Sequence, residues 1–494
     1  MARLIALDAG TTGVRSLVVD EGGAIIDVSY REHEQHYPAP GWVEHDATEI
    51  WENILGTMAD VIGRLQGNDV AAIGITNQRE TIVAWDRSNG RVLAPAIVWQ
   101  DKRTAERCAE LRASGHLDEV RRVTGLVLDP YFSATKMAWL IEAGALEGAV
   151  EPVLGTIDSW LLWNLTGGVE GGVFATDPSN ASRTLLYDME HSSWSRSMSD
   201  LMGVPLELLP DILPSCGRFG TIDHPRLAEL QGVPISGILG DQQSALFGQA
   251  CFDPGMIKAT YGTGAFVLMN AGESRPAAAE GLLTTVAWDL GDQGGIAYAL
   301  EGSAFVAGAA IQWLRDELGI IGSAEETEAL ARSVESSESM KFIPAFVGLG
   351  SPWWDETARG AIVGITKGSG RGALARAVVD SLAFEVRAIT DAMAEASGAA
   401  LTGMRVDGGA AAMDLLLAHQ AQQSRVIVER PMSLESTALG AATIAGLAEG
   451  VFSSLKDLSN LWRPNATFEP DAESDPDPAY EAWLDALSRS RAWG

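Results

Sequence analysis

The sequence predicts an α/β protein of two domains that repeat one plan, and three observations carry that expectation. Segments 3–19 (RLIALDAGTTGVRSLVV) and 256–269 (MIKATYGTGAFVLM) share a single shape: an apolar run, a Gly/Thr turn and a second apolar run. At 494 residues the chain exceeds what one hydrophobic core organises. Strand-like and helix-like stretches alternate along its length, the pattern of α/β proteins.

Each repeated segment reads as a strand, a tight turn and a returning strand. Glycine there lets the backbone approach a ligand, and the threonines add hydroxyl donors to the exposed amides. One such turn is an ordinary hairpin. A matched pair, one in each half, predicts two loops gripping a polyphosphate from opposite sides. After the first pair of strands, Glu21-Gly22-Gly23 marks a turn into a third strand, AIIDVS. Residues 45–66 place Ile50, Ile54, Met58, Val61 and Leu65 on one helical face, with Asp46 as its cap. AAIGIT and TIVAWD are strands on either side of the polar turn Asn77-Gln78-Arg79-Glu80, and RSNG then leads into RVLAPAIVW as a further hairpin. The boundary is expected near Gly248–Pro254, giving domains 1–250 and 251–494 with hinge motion near residues 248–256. In the second half the pattern predicts a helix over 303–317 and a strand–turn–helix over 404–423. An exposed Pro- and Asp-rich segment over 464–478 then precedes a short C-terminal helix.

With 46% hydrophobic and 20% charged residues, the composition is that of an ordinary globular protein. No stretch approaches the ~18–20 continuous apolar residues of a membrane span. The start, MARLIALDAG, lacks the parts of a signal peptide. Cys108, Cys216 and Cys251 are odd in number and scattered, which fits reduced thiols in a cytoplasm. A net charge of −31 argues against nucleic acid or an anionic membrane as partner. A polyphosphate ligand therefore requires local reversal of that field by backbone amides, a metal ion and cations such as Arg15.

Asp8 ends an apolar strand directly before the first Gly/Thr loop. A carboxylate there suits a Mg²⁺ ion between protein and phosphate; a turn-capping aspartate is the alternative. Asp241, in GILGDQQ, ends another apolar run beside Gln242. An ordinary Asp pKa of ~3.9 lies far below that of an alcohol, so as a base it would take the proton only as an O–P bond forms. A structural role accepting backbone amides is its alternative. Arg79 and Glu80 place a donor beside an acceptor, as a small polyhydroxyl ligand requires, and would otherwise be an ordinary surface pair. Trp99, Tyr131 and Phe266 are apolar walls or simply core. Gly408-Gly409 exposes helix amides to a ligand or lets strand and helix pack closely. Gln312 is polar on a largely apolar helix, which a buried, satisfied glutamine also explains.

Taken in order, LDAGTTGVR, GITNQRET, TGLVLDPYFSATKMAWL, GDQQSALFGQ, TYGTGAF, RVDGGAAAMDLLL and STALGAA resemble the FGGY carbohydrate kinases over nearly the whole chain. The resemblance implies two ribonuclease-H-like domains of the actin-like ATPase superfamily around a central cleft. It implies ATP-dependent phosphorylation of a polyol with Mg²⁺, and the NQRET, DPYFSATK and GDQQ stretches point to glycerol, giving sn-glycerol 3-phosphate. Carried over, Arg79, Glu80, Tyr131, Asp241 and Gln242 would hold hydroxyls, with Asp241 as base and Trp99 and Phe266 on the carbons. Thr11, Thr12, Gly13 and Arg15 would meet the phosphates, with Asp8 near the metal. Thr263, Gly308, Gln312, Gly409 and Met413 would line the rest of the nucleotide site. Oligomeric state stays open.

Three departures stand out. The family's first loop usually reads Asp-Gln-Gly-Thr-Thr-Ser-Ser, whereas Ala9, Gly13 and Val14 occupy the Gln and Ser positions here. Met413 stands where many relatives carry asparagine, which weakens hydrogen bonding near the base. LAELQGVPISG lacks the basic, Gly-rich loop tied to sugar-bisphosphate inhibition, so fructose 1,6-bisphosphate is not expected to inhibit. Competing readings are the same chemistry on erythritol or a pentulose, a silent polyol or nucleotide sensor, and an actin- or chaperone-like ATPase.

Overall fold

The computed structural model describes residues 2–65 and 69–491. The duplication is realised as two sheets of one topology. In the first, strand Arg3–Ala9 turns antiparallel into Gly13–Asp20, which pairs antiparallel with Ile25–Glu32. On its other side Arg3–Ala9 runs parallel to Val70–Asn77, itself parallel to Pro234–Gly240. In the second sheet, Met256–Tyr261 pairs antiparallel with Ala265–Gly272, which meets Ile296–Ala304 antiparallel. Met256–Tyr261 then runs parallel to Gly403–Asp407, and that strand to Val428–Pro431. Three antiparallel strands followed by two parallel ones thus occur twice, as the ribonuclease-H-like plan requires.

The strand pair around Asn77–Glu80 is split between sheets. Val70–Asn77 belongs to the first sheet, whereas Ile82–Asp86 joins a separate four-stranded sheet with Arg91–Ile97 and Pro152–Thr156. The turn therefore sits where two sheets diverge. Helix Ala47–Arg64 forms as its spacing predicts, with the Asp46 carboxylate accepting from the amides of Thr48 and Glu49.

One expected element differs and another gains a strand. The helix expected over 303–317 begins only at Gly308 and ends at Asp316, because Ser303 and Ala304 continue a strand paired to Phe266 and Ala265. The segment expected to be exposed over 464–478 is largely so, and within it Pro464–Phe468 adds an edge strand antiparallel to Val428–Pro431. An unpaired sheet edge offers backbone partners that polar side chains alone do not reveal.

The halves share a core. Helix Ser436–Ala448, from the second half, packs on the first sheet, burying Ala438, Ala441, Ile444 and Ala445 with Leu4, Ala6 and Leu239. That approach needs glycine. A Cβ on Gly74 would stand 1.9 Å from the Ala441 carbonyl oxygen, and one on Gly440 would stand 1.9 Å from that of Ser244. No helix among the described residues is long and apolar enough to cross a membrane.

Candidate active site

Strand ends and helix starts deliver the candidate residues to the junction between the halves. Asp241 is the first residue of helix Asp241–Gly248, immediately after strand Pro234–Gly240. Arg79 passes directly beneath: a Cβ on Gly240 would lie 2.7 Å from Arg79 Cγ. Glu80 has φ of +62°, and the Thr81 amide donates to the Arg79 carbonyl at 2.7 Å, closing a three-residue turn. Such a turn is strained for a side-chain-bearing residue, and it is held only by strong surroundings.

Those surroundings are charges. Arg79 and Glu80 are 2% and 1% exposed, so the surface-pair alternative fails. Arg79 Nη1 donates to Glu301 Oε2 at 2.6 Å and to Gln243 Oε1 at 3.1 Å. Its Nε lies 3.2 Å from Asp241 Oδ1. Arg183 Nε donates to Glu80 Oε1 at 2.6 Å, and Arg183 Nη2 donates to Glu301 Oε1 at 3.0 Å. Glu301 stands on strand Ile296–Ala304, so the second half closes this network over residues of the first. Burial raises the Glu301 carboxyl, but Arg183 and Arg79 together hold it down at about 2. For Glu80 burial prevails over Arg183 and Arg79, and its carboxyl is pushed up. Isolated buried charges would be prohibitive; here each meets an opposite one.

Arg79, Glu80, Trp99, Tyr131, Asp241, Gln242 and Phe266 line one small cavity of about 290 Å³. All seven are residues singled out from the sequence. Trp99 and Tyr131 meet edge to face, with centroids 5.5 Å apart. The buried Lys136 ties them together, its Nζ donating to the Tyr131 carbonyl at 2.9 Å and the Trp99 carbonyl at 3.3 Å. The Trp99 indole N–H also donates to Thr11 Oγ1 at 3.0 Å, joining this cavity to the first Gly/Thr loop.

Asp8 is buried at the end of strand Arg3–Ala9, 2.9 Å from Arg15 Nη2. Burial pushes its carboxyl up to about 6 against the pull of Arg15, and Asp241 and Glu435 add to the push. Asp8 near the end of its strand and Asp241 directly after its own belong to strands of one sheet, each parallel to Val70–Asn77, and Arg15 reaches on to Glu435, which precedes helix Ser436–Ala448. The Gly13 departure has a local reason. A Cβ there would meet Tyr30 and the Arg31 carbonyl oxygen at 2.6 Å, so Tyr30 fills the space a serine would need.

A second, larger cleft of about 1030 Å³ opens at the other Gly/Thr turn. Thr263, Gly308, Gln312, Gly409 and Met413 all line it, joined by Ile311, Arg315 and Glu325. Gln312 is exposed here rather than buried and satisfied. Helix Gly308–Asp316 starts against the turn, its first amide donating to the Gly262 carbonyl at 2.9 Å. The two glycines of the DGG turn divide the alternatives between them. A Cβ on Gly408 would strike the Tyr261 carbonyl oxygen at 2.5 Å, whereas one on Gly409 would meet nothing within 4 Å and faces open space.

Glu301, Arg183, Lys136, Lys258 and Glu435 escaped the sequence reading. Several share a signal visible in hindsight: one charged residue alone in an apolar strand, as in MIKATY and IAYALEGSA. A residue that must be buried in such a strand needs a buried partner.

Similarity to known proteins agrees with this geometry. Residues 3–248 match the N-terminal domain, and residues 257–449 the C-terminal domain, of the FGGY family of carbohydrate kinases. The chain is 49% identical over 498 aligned positions to a glycerol kinase of Halorhodospira halophila, covering 99% of this chain and 97% of that protein. It is 48% identical to a glycerol kinase of Rhodopirellula baltica, covering 99% and 91% of the two chains. A crystal structure of Plasmodium falciparum glycerol kinase with ADP superposes with a TM-score of 0.94 at 34% identity, covering 99% of this chain and 98% of that one. On both halves and over its full length, this chain belongs to the FGGY family of carbohydrate kinases.

Proposed function

We propose that this enzyme transfers the terminal phosphoryl group of ATP to glycerol, giving sn-glycerol 3-phosphate and ADP. The observation that carries the reading is one small cavity lined by seven polar and aromatic residues, Asp241 among them, and joined to the first Gly/Thr loop by the Trp99–Thr11 hydrogen bond. The similarity to glycerol kinases supports the choice of polyol.

In this mechanism Arg79 and Gln242 donate to hydroxyl oxygens, Glu80 accepts from a hydroxyl, and Tyr131 completes the polar wall. Trp99 and Phe266 pack on the carbons. Asp241, its Oδ1 steadied by Arg79, orients the attacking hydroxyl. The alcohol O–P bond forms as the bond from phosphorus to the bridging oxygen of ADP breaks, and the hydroxyl proton passes to Asp241. Thr11, Thr12, Gly13 and Arg15 receive phosphate oxygens. Thr263, Gly308, Gln312, Gly409 and Met413 line the nucleotide. Asp8 would hold Mg²⁺: it is a buried carboxylate at the end of the strand that leads into the first Gly/Thr loop. Mg²⁺ typically takes one or two protein carboxylates plus phosphates and water, so a single carboxylate beside the phosphates is enough to hold it. When bound, the ion would neutralise charge on the phosphates.

We place the domain boundary at 250/251 and a closing hinge near 248–256; the gap between the two matched family segments supports it. Closure would exclude water, the competing nucleophile. Compaction in small-angle scattering on adding glycerol and a non-hydrolysable nucleotide is expected, and no change would remove the hinge. A cytoplasmic location is part of the same reading, supported by three buried free thiols. The deciding experiment is ADP release over glycerol, erythritol and pentuloses with ATP or GTP. A tenfold preference in kcat/KM for a longer substrate, about 1.4 kcal/mol, would overturn the glycerol assignment.

A further inference from the structure

Lys258 is fully buried in the middle of strand Met256–Tyr261, in the second half of the chain. Its ammonium crosses to the first half and donates to Gln242 Oε1 at 2.6 Å. Among the described residues that is its one hydrogen bond, and no carboxylate lies within ion-pair distance of it. A buried ammonium resting on an amide oxygen is an expensive arrangement to keep without a purpose. Burial pushes this lysine below its usual range, while Asp407, Asp241 and Glu301 draw it up and Arg79 repels it.

The chemistry of the pair fixes an orientation. An ammonium has three donors and no acceptor, so only the oxygen of the glutamine amide can face it. The amide –NH₂ must then point the other way, and Gln242 lines the polyol cavity. Gln242 Nε2 has no hydrogen-bond partner among the described residues, so it is free for a ligand. A hydroxyl beside it can only accept. Its own hydrogen must go to an acceptor, and among the lining residues the carboxylates of Asp241 and Glu80 are acceptors that carry no competing hydrogen when ionised.

We propose that Lys258 is a positioning residue that locks Gln242 as a donor into the polyol cavity, so that a bound hydroxyl accepts from Gln242 and gives its proton to a carboxylate. The inference rests on the reading of Gln242 as a polyol contact. Lys258 acts from across the seam, so the donor pattern of the polyol site is complete only when the halves are joined.

A double-mutant cycle on the full chain tests it, with kcat/KM for glycerol and the ligand-free melting temperature measured for Gln242→Ala, Lys258→Met and the pair. Each single change is expected to lower kcat/KM about tenfold, mostly through KM, with the pair no worse than the poorer single. Losses that multiply towards a hundredfold would overturn the proposal, since Lys258 would then act independently of Gln242. Full efficiency in Gln242→Ala would instead overturn the polyol contact beneath it. Where Lys258→Met does not fold, Gln242→Glu serves. It keeps an oxygen on Lys258 but presents acceptors to the cavity, so efficiency should fall at least as far as in Gln242→Ala. A Gln242→Glu enzyme better than Gln242→Ala would refute the donor lock.

Discussion

The cavity proposed for the polyol and the cleft proposed for the nucleotide are built on different principles. The first is small and rests on buried side-chain charges: Arg79, Arg183, Glu80 and Glu301 interlock across the junction of the halves. The second is open, and is lined by glycines, a threonine and the first turns of two helices, with Gly409 facing empty space. The difference suits the ligands proposed for each. A three-carbon polyol offers only hydroxyls and a short carbon chain, so recognition needs donors and acceptors held rigidly in pairs. A nucleotide offers phosphates and a large base, and much of that surface can be met by backbone amides and apolar contacts. Losing one group should therefore be severe in the cavity and mild in the cleft.

Asp241→Asn should have the largest effect, lowering kcat on the order of 10³-fold with the glycerol dissociation constant kept within a few-fold. Unchanged turnover would remove Asp241 from proton transfer. Glu301→Gln comes next. It strands Arg79 and Arg183 without their shared counter-charge, and breaking a buried pair typically costs 3–5 kcal/mol. The melting temperature should drop on the order of 5–10 °C, and a drop under one degree would show that the network is not holding the cavity.

Lys136 gives a smaller effect with a definite sign. Burial pushes it down to about 7, against the pull of Glu80, Asp101 and Asp129 and with Lys102 adding to the push. Between that value and the ordinary lysine range the unfolded chain binds more protons than the folded one, so this residue makes stability rise with pH from about 7 upward. Its slope is at most ~1.4 kcal/mol per pH unit. Lys136→Met should flatten that rise, as followed by denaturation midpoints at pH 7 and 9, and an unaltered slope would count against a neutralised lysine. Gln312→Ala should be mildest, raising KM for ATP about threefold with kcat kept. If it proved as damaging as Asp241→Asn, the contrast between the two sites would fail.

The same contrast governs what could be read from the sequence. Gly/Thr turns and the helix Ala47–Arg64 follow from local chemistry, so they were legible. Asp8 and Asp241 were legible because each closes an apolar run at a strand end. The counter-charges were not. Glu301 lies 222 residues from Arg79, and Arg183 lies 103 from Glu80, so no local pattern links them. The late start of helix Gly308–Asp316 was hidden likewise, because strand pairing outweighed the helical spacing of SAFVAG.

By itself, then, the sequence determined the repeated strand–turn–strand plan, its paired Gly/Thr turns, and a donor and acceptor placed side by side at Arg79 and Glu80. These are written in neighbouring residues, where backbone freedom and apolar spacing act over a few positions. Only the tertiary structure decided that the Arg79–Glu80 turn is buried rather than exposed, that Glu301 and Lys258 reach it from the second half, and that helix Ser436–Ala448 returns to the first sheet. Electrostatics and close packing act through space, and the distances that set them exist only once the two halves have come together.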